Sequence, residues 1–244
     1  MRLDLMLVAR GFYDTRAKAR DAVLRGAVAV DGTVMSKPAA SVREGARVAL
    51  NDPAHRYVSR AALKLAHAIS AFAIPISNRV ALDIGAATGG FTQVLLENGA
   101  RRVYAIDVGH GQLADNVASD PRVVVREGVN ARDLSPTEFT DPIEVVVCDV
   151  SFISLTLALP PALDLATAGA HLVALIKPQF EAGRAAVGRT GVVKDAKVHD
   201  MVCRDIHAWL AERPGWRVLG IEPSPIVGSD GNREFLVAAE KAKP

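Results

Sequence analysis

Asp149 and Lys177 each follow an apolar run, Ile143-Glu144-Val145-Val146-Val147-Cys148 and Leu172-Val173-Ala174-Leu175-Ile176, that reads as a buried strand. Water is partly excluded at such strand ends, so a carboxylate and an ammonium there need partners and are candidates for holding or moving a proton. Taken singly, Asp149 reads equally well as a helix cap and Lys177 as a surface point. Lys64, on an Ala-rich helical stretch, reads by itself as a solvated side chain. Joined with Glu234, which opens a further apolar run, the set becomes two acids and two lysines, formally neutral, whose protonation states would be coupled.

A second constellation lies at Leu82-Asp83-Ile84-Gly85-Ala86-Ala87-Thr88-Gly89-Gly90-Phe91-Thr92. An apolar strand-like run ends in Asp83, a glycine turn follows, and Phe91, Val94 and Leu95 then recur at helical spacing. Glycines at this handover let backbone approach a ligand closely, and the helix start offers unpaired amides. The spacing is neither G-x-G-x-x-G nor a P-loop, which lowers both readings. A second strand, Arg102 to Asp107, ends in an acid placed to accept ribose hydroxyls. Together these features look like the S-adenosylmethionine site of class I methyltransferases. The alternative is a set of turn glycines with a capping Asp.

These residues need a scaffold, and 244 residues, half of them apolar, suffice for one large or two modest domains. Arg122 to Arg126 and Ile143 to Cys148 read as third and fourth strands, Leu172 to Ile176 as a fifth. The helical stretch Arg60 to Phe72, capped by Ser59, precedes them. Ala196 to Glu212 reads as a last helix, and Trp216 to Ile221 with Glu234 to Ala238 as a closing antiparallel pair. Strands alternating with helices predict an α/β fold, a doubly wound Rossmann-like sheet with ligands at the strands' C-terminal ends. Leu155 to Ile176 is apolar enough to suggest a membrane span, but Pro160, Pro161, Asp164, Gly169 and His171 interrupt it. Two cysteines without a signal peptide suggest a cytoplasmic protein, and the histidines lack zinc spacing, so neither a membrane nor a metal is expected.

The net charge of +2 hides an asymmetry. Residues 1–60 carry eleven Lys/Arg against six Asp/Glu, a net of +5, so the remainder carries −3. Leu3 to Ala9 reads as a first helix, and Thr15 caps a second that is studded with Arg16, Lys18, Arg20 and Arg25 and ends at Gly26. Short strands with an Asp31-Gly32 turn follow. A basic helix before a small sheet suggests a polyanion-binding module, or else merely a solvated helix face. Residues 1–50 form this head, 51–57 with Pro53 a linker, and 58–244 the larger domain.

The head resembles the S4 domain, an RNA-binding module, from Arg2-Leu3-Asp4 through Arg25-Gly26 to Asp31-Gly32. Nearly the whole chain resembles the TlyA (hemolysin A) family of ribosomal RNA 2′-O-methyltransferases, whose catalytic domain is FtsJ-like. The matching segments include Tyr57-Val58-Ser59-Arg60, Leu63-Lys64-Leu65, Asp83 to Thr92, Asp107-Val108-Gly109, Cys148-Asp149-Val150-Ser151-Phe152, Ile176-Lys177-Pro178 and Gly231-Asn232 with Glu234-Phe235. Asp115 and Asn116 depart from the aromatic and basic residues common in the family, and His110 stands where an aromatic is common.

The resemblance implies a Lys-Asp-Lys-Glu catalytic tetrad on Lys64, Asp149, Lys177 and Glu234. It implies S-adenosyl-L-methionine bound by Asp83, Gly85, Ala86, Thr88, Gly89, Gly90, Phe91, Asp107, Val108, Asn130 and Asp149. Ribosomal RNA or ribosomal subunits would meet Arg2, Arg16, Lys18, Arg20, Arg25, Arg60, Arg184, Arg189 and Lys194, with Gly183 to Lys194 covering the site as a mobile loop. A ribose 2′-hydroxyl is a weak acid, so a cation must stabilise its alkoxide or a neutral amine must take its proton, a role that falls to Lys177. The rival readings are an RNA-binding assembly factor whose methyltransferase fold does not turn over, and a pore-forming hemolysin. Neither an export signal nor a spanning segment supports the latter.

Overall fold

The computed structural model describes residues 1–183, 186–188 and 191–243, and the chain divides into two compact units, Met1–Arg56 and Tyr57–Pro244. The first unit packs α1 (Leu3–Ala9) and α2 (Arg16–Leu24) on a sheet of β1 (Val28–Val30), β2 (Thr33–Val34) and β3 (Val48–Leu50). The sheet order is β2-β1-β3, antiparallel throughout. The Thr15 side chain accepts from the Lys18 amide at 3.3 Å and so fixes the start of α2. Asp31 and Gly32 both adopt positive φ, the condition for a two-residue hairpin, and Val30 pairs with Thr33 across them. Leu3, Leu7, Ala19, Ala22, Val23 and Val28 form its core.

The second unit is built on β4 (Val80–Ile84), β5 (Arg102–Asp107), β6 (Val123–Glu127), β7 (Ile143–Cys148), β8 (Ala166–Ile176), β9 (Trp216–Pro223) and β10 (Phe235–Lys241). Their order is β6-β5-β4-β7-β8-β10-β9. The first five run parallel, and β10 lies antiparallel between β8 and β9. Along β4, alternate residues serve opposite faces. Val80, Leu82 and Ile84 pack with α6 (Leu155–Ala158), α7 (Pro160–Leu165) and α9 (Ala196–Ala211). Ala81 packs with α3 (Ala62–Ala71), α4 (Gly90–Glu97) and, through Val117, the short α5 (Asp115–Ala118). Strand order reverses between β4 and β7, which opens a crevice at their carboxyl ends.

Two boundaries differ from expectation. The α3 helix starts at Ala62, and its flanking residue Ala61 already has helical dihedrals, so Ser59 is not the cap. Ser59 instead sits in the preceding turn, its carbonyl accepting from Ala62 and its hydroxyl from Ala61 at 3.2 Å. The run Leu155 to Ile176 divides into α6, α7 and an eleven-residue β8 that begins six residues before the predicted strand. A register shift between Ile143 and Val145 lets β7 follow this long strand. Among the described residues no helix is long and apolar enough to cross a membrane.

Candidate active site

A cavity of about 440 Å³ opens at the crevice, lined by Gly85, Ala87, Asp107, Val108, Asn130, Asp149 and Ser151 among others. Gly85 (φ +81°) lets the loop after β4 turn beneath β7, and a Cβ there would stand 2.8 Å from the Asp149 carbonyl oxygen. No other residue fits. Asp107, ending β5, accepts the Ala87 amide at 2.8 Å and the Gly109 amide at 2.7 Å. Asn130 caps the short turn Ala131–Asp133, its carboxamide oxygen accepting from the Arg132 amide at 3.1 Å.

The remaining residues expected at the cofactor do not line this cavity. Gly89 (φ +95°) begins α4 under Leu113, whose Cδ1 would lie 2.7 Å from a Cβ, and Gly90 is pressed against Ser59 and Ala62. Ala86 is buried outside the cavity lining, Phe91 packs in the core beside Leu65, and Thr88 accepts the Ala114 amide through its carbonyl. Asp83 faces α4, away from the crevice, because strand alternation puts it on the Ala81 side. It is fully buried, and Thr92 donates to it at 2.6 Å. Burial pushes its carboxyl up to about 7 against the Thr92 hydrogen bond, and the charge on Asp149 adds to the rise.

That shift carries a sign. Between the ordinary 3.8 and about 7 the folded chain holds more protons than the unfolded one, so Asp83's contribution to stability is full in acid and is lost as pH rises. Asp83→Asn keeps an acceptor for Thr92 and removes the titration. Its unfolding free energy should therefore fall less steeply across this window, as urea titrations at several pH values would measure. An unchanged slope would assign the burial cost elsewhere.

Four chain segments bring the two acids and two lysines together. Asp149 follows β7 and Lys177 follows the neighbouring β8. Register pairing of Phe235 with Ile176 sets Glu234 beside Lys177's strand end, and Lys64 enters from α3. Lys177 Nζ lies 2.8 Å from Asp149 Oδ1, Lys64 Nζ 3.8 Å from Asp149 Oδ2, and Lys64 Nζ 2.6 Å from Glu234 Oε2. Lys64, Lys177 and Glu234 are buried, Asp149 nearly so. Charges thus alternate along one chain, each ion facing its opposite, which is how buried charge is tolerated. Cys148, directly before Asp149, is pushed up to about 12 by burial and remains an inert thiol.

Residues 57–241 match the FtsJ-like methyltransferase family, and residues 1–48 match the S4 domain. The chain belongs to the FtsJ-like methyltransferase family. It is 43% identical to the 16S/23S rRNA (cytidine-2′-O)-methyltransferase TlyA of Mycobacterium tuberculosis, over 97% of this chain and 88% of that one. It is 39% identical to hemolysin A of Brachyspira hyodysenteriae, over 97% and 98% of the two chains. A structure described as that of a hemolysin, from Streptococcus thermophilus, superposes with a TM-score of 0.78 at 40% identity, covering 100% of this chain and 90% of the other. The fold is also that of an O-methyltransferase from Bacillus cereus, TM-score 0.53 at 20% identity, covering 78% and 84% of the chains.

Within the S4 domain the basic residues divide. Asp4, fully buried, accepts from Arg2 Nε and Nη2 at 3.0 and 2.9 Å and from Arg16 Nε at 3.0 Å. The hydrogen bonds from Arg2 and Arg16 hold the Asp4 carboxyl down at about 2 despite its burial. Both guanidiniums remain about half exposed. Lys18 lies 3.6 Å from Asp14, and Arg20 is exposed. Arg25 differs: Asp21 and Asp52 hold it at 2.7 and 2.9 Å with its side chain only 16% exposed, and Tyr13 also donates to Asp52. Helix periodicity cannot separate a presented arginine from one folded into a neighbouring acid pair.

In the methyltransferase unit Arg60 donates to the Val227 carbonyl at 3.1 Å, and Lys194 is exposed beside the buried Val193. Arg184 and Arg189 lie outside the described residues, as does part of the loop expected to cover the site. Among the cavity-lining residues to which the sequence assigned no role are Gln112, Ser151 and Phe152. Their signal was adjacency, since Ser151 and Phe152 directly follow Asp149 at a strand's carboxyl end. Phe152 is 91% exposed with φ +66°, an unusual backbone for a bulky side chain.

Proposed function

We propose that this chain methylates a ribose 2′-hydroxyl of ribosomal RNA, using S-adenosyl-L-methionine held by Gly85, Asp107, Val108, Asn130 and Asp149. The reading rests on the alternating chain Lys177, Asp149, Lys64, Glu234, which meets the cavity at Asp149. The glycine cradle that a Cβ would fill, and the carboxylate of Asp107 at the end of β5, suit a nucleoside bearing a sulfonium. S-adenosyl-L-methionine, when bound, supplies an electrophilic methyl carbon and a neutral thioether leaving group.

The protein's own residues handle the proton. In the reacting form Lys177 has given up a proton, and its Nζ takes the hydrogen of the 2′-hydroxyl as the oxygen lone pair forms the new bond to carbon. Asp149 then faces the resulting ammonium at 2.8 Å and stabilises it as its counter-ion. Lys64 and Glu234, locked to each other, fix the far side of Asp149 and stand ready to orient the ribose. A ribosomal RNA substrate is supported by the S4 domain and by the M. tuberculosis relative, an rRNA (cytidine-2′-O)-methyltransferase.

Incubation with methyl-labelled S-adenosyl-L-methionine and unmodified ribosomal subunits, followed by mapping of ribose methylation, tests the proposal. Label at a ribose 2′-oxygen is the expected result. Tight RNA binding without label would make the protein an assembly factor instead.

RNA affinity should depend on Arg16 and Arg20. Their joint replacement by Ala should flatten the salt dependence of ribosomal RNA binding, by about 0.7 to 0.9 units of log–log slope per lost phosphate contact. Arg25→Ala should leave that slope nearly unchanged but lower the stability of the first unit, because Asp52 loses its buried partner. Equal slope changes from all three would restore Arg25 to the RNA surface.

A further inference from the structure

The functional reading gives Lys177 the proton but leaves open what aims its nitrogen. We infer that Ser151 is a positioning residue for Lys177, fixing the direction in which the amine faces the reacting hydroxyl; this rests on the methyl-transfer reading above. Lys177 Nζ donates to Ser151 Oγ at 2.8 Å and lies equally close, 2.8 Å, to Asp149 Oδ1. A neutral lysine amine has two hydrogens and one lone pair in tetrahedral array. With one hydrogen held on Ser151, rotation about Cε–Nζ is arrested and the lone pair takes one of the two remaining positions, the other hydrogen being drawn toward the Asp149 carboxylate. Without Ser151 the amine rotates about its Cε–Nζ bond, and only some rotamers aim the lone pair productively.

The protein holds these two residues in register by a separate device. Glu181, in α8 (Pro178–Glu181), accepts from the Ser154 hydroxyl at 2.6 Å and from the Leu155 amide at 2.8 Å. The segment carrying Ser151 is therefore clasped to the turn that begins at Lys177. From the other side, the Asp149 amide donates to the Ile84 carbonyl at 3.0 Å, and Gly85 packs against the Asp149 and Val150 backbone. Ser151 itself lines the cavity and belongs to no helix or strand, so its hydroxyl is not needed to complete secondary structure.

Single-turnover methyl transfer from labelled S-adenosyl-L-methionine to unmodified ribosomal subunits tests the role in four variants: Ser151→Ala, Ser151→Thr, Lys177→Ala and the Ser151→Ala/Lys177→Ala double. Ser151→Ala should slow transfer at saturating substrates roughly 10- to 100-fold, the scale of a small misplacement of a reacting group. Half-saturating concentrations of RNA and cofactor should change less than about threefold, since binding is not what Ser151 supplies. Ser151→Thr keeps the hydroxyl and should recover most of the rate. In the Lys177→Ala background, Ser151→Ala should add nothing, because a residue that acts through Lys177 has nothing left to position. A rate within twofold of the unsubstituted protein in Ser151→Ala, a Thr variant as slow as Ala, or losses that multiply in the double variant would each overturn the role. A full rate in Lys177→Ala alone would instead sink the proton-acceptor assignment, and the Ser151 inference with it.

Discussion

Lys177→Ala should reduce methyl transfer by roughly the 10²- to 10⁴-fold typical of losing a positioned acid/base group, while affinity for S-adenosylhomocysteine stays near that of the unsubstituted protein. The separation follows from geometry. Lys177 ends β8, whereas the cavity is lined from Gly85, Asp107, Asn130 and the segment after β7, and Lys177 is not among its lining residues. Calorimetry with the demethylated product and single-turnover rates measure the two halves. Lys177→Arg is the more telling change: it keeps a charge able to stabilise an alkoxide, but it does not deprotonate, and its planar fork does not reproduce a point donor held 2.8 Å from both Asp149 and Ser151. Substantial activity in the arginine variant would leave electrostatic stabilisation as the role and exclude proton abstraction. A full rate in the alanine variant would remove Lys177 from the chemistry.

Lys64→Met should cost the second unit about 3–5 kcal/mol of unfolding free energy, the usual consequence of leaving one member of a buried pair without its partner. Glu234 is 5% exposed and lies 2.6 Å from Lys64 Nζ, so the substitution strands a carboxylate where water cannot reach it. Asp149 keeps Lys177 and is spared the same fate. The double variant Lys64→Met/Glu234→Leu should recover most of the loss, because an apolar pair of similar volume removes both desolvation costs. Both tryptophans, Trp209 and Trp216, lie in the second unit, so their fluorescence in urea titrations reports on that unit. A loss below about 1 kcal/mol for Lys64→Met would mean that the pair is effectively solvated and contributes little.

The element order of this protein was legible because its signals are local. Apolar runs of five or six residues at β4, β5 and β7, glycines at the strand-to-helix turn, Thr15 before α2 and Asp31-Gly32 between β1 and β2 are each read within a few positions, by sterics or by one capping bond. The type of chemistry was legible too, since charge at the end of an apolar strand demands an ionic partner wherever that partner comes from.

Which groups meet was decided only in three dimensions. Lys64 looked like a solvated helix lysine, yet it is buried, because α3 turns that side toward the ends of β7 and β10. Asp83 looked like a ligand, yet the twofold alternation of a strand covered on both faces sends it under Thr92, away from the crevice that Asp107 reaches one strand over. Gly89, Gly90 and Phe91 share a motif with Gly85, but they pack α4 against its neighbours, and only Gly85 lies where the loop passes beneath Asp149. Arg20 lies in α2 and Arg25 just past its end, and Arg25 is tied to Asp52 from a distant loop while Arg20 is exposed. In each case residue type and spacing set what a side chain can do. Partners on other elements of the fold set what it does, and such contacts leave no periodic trace in a single sequence.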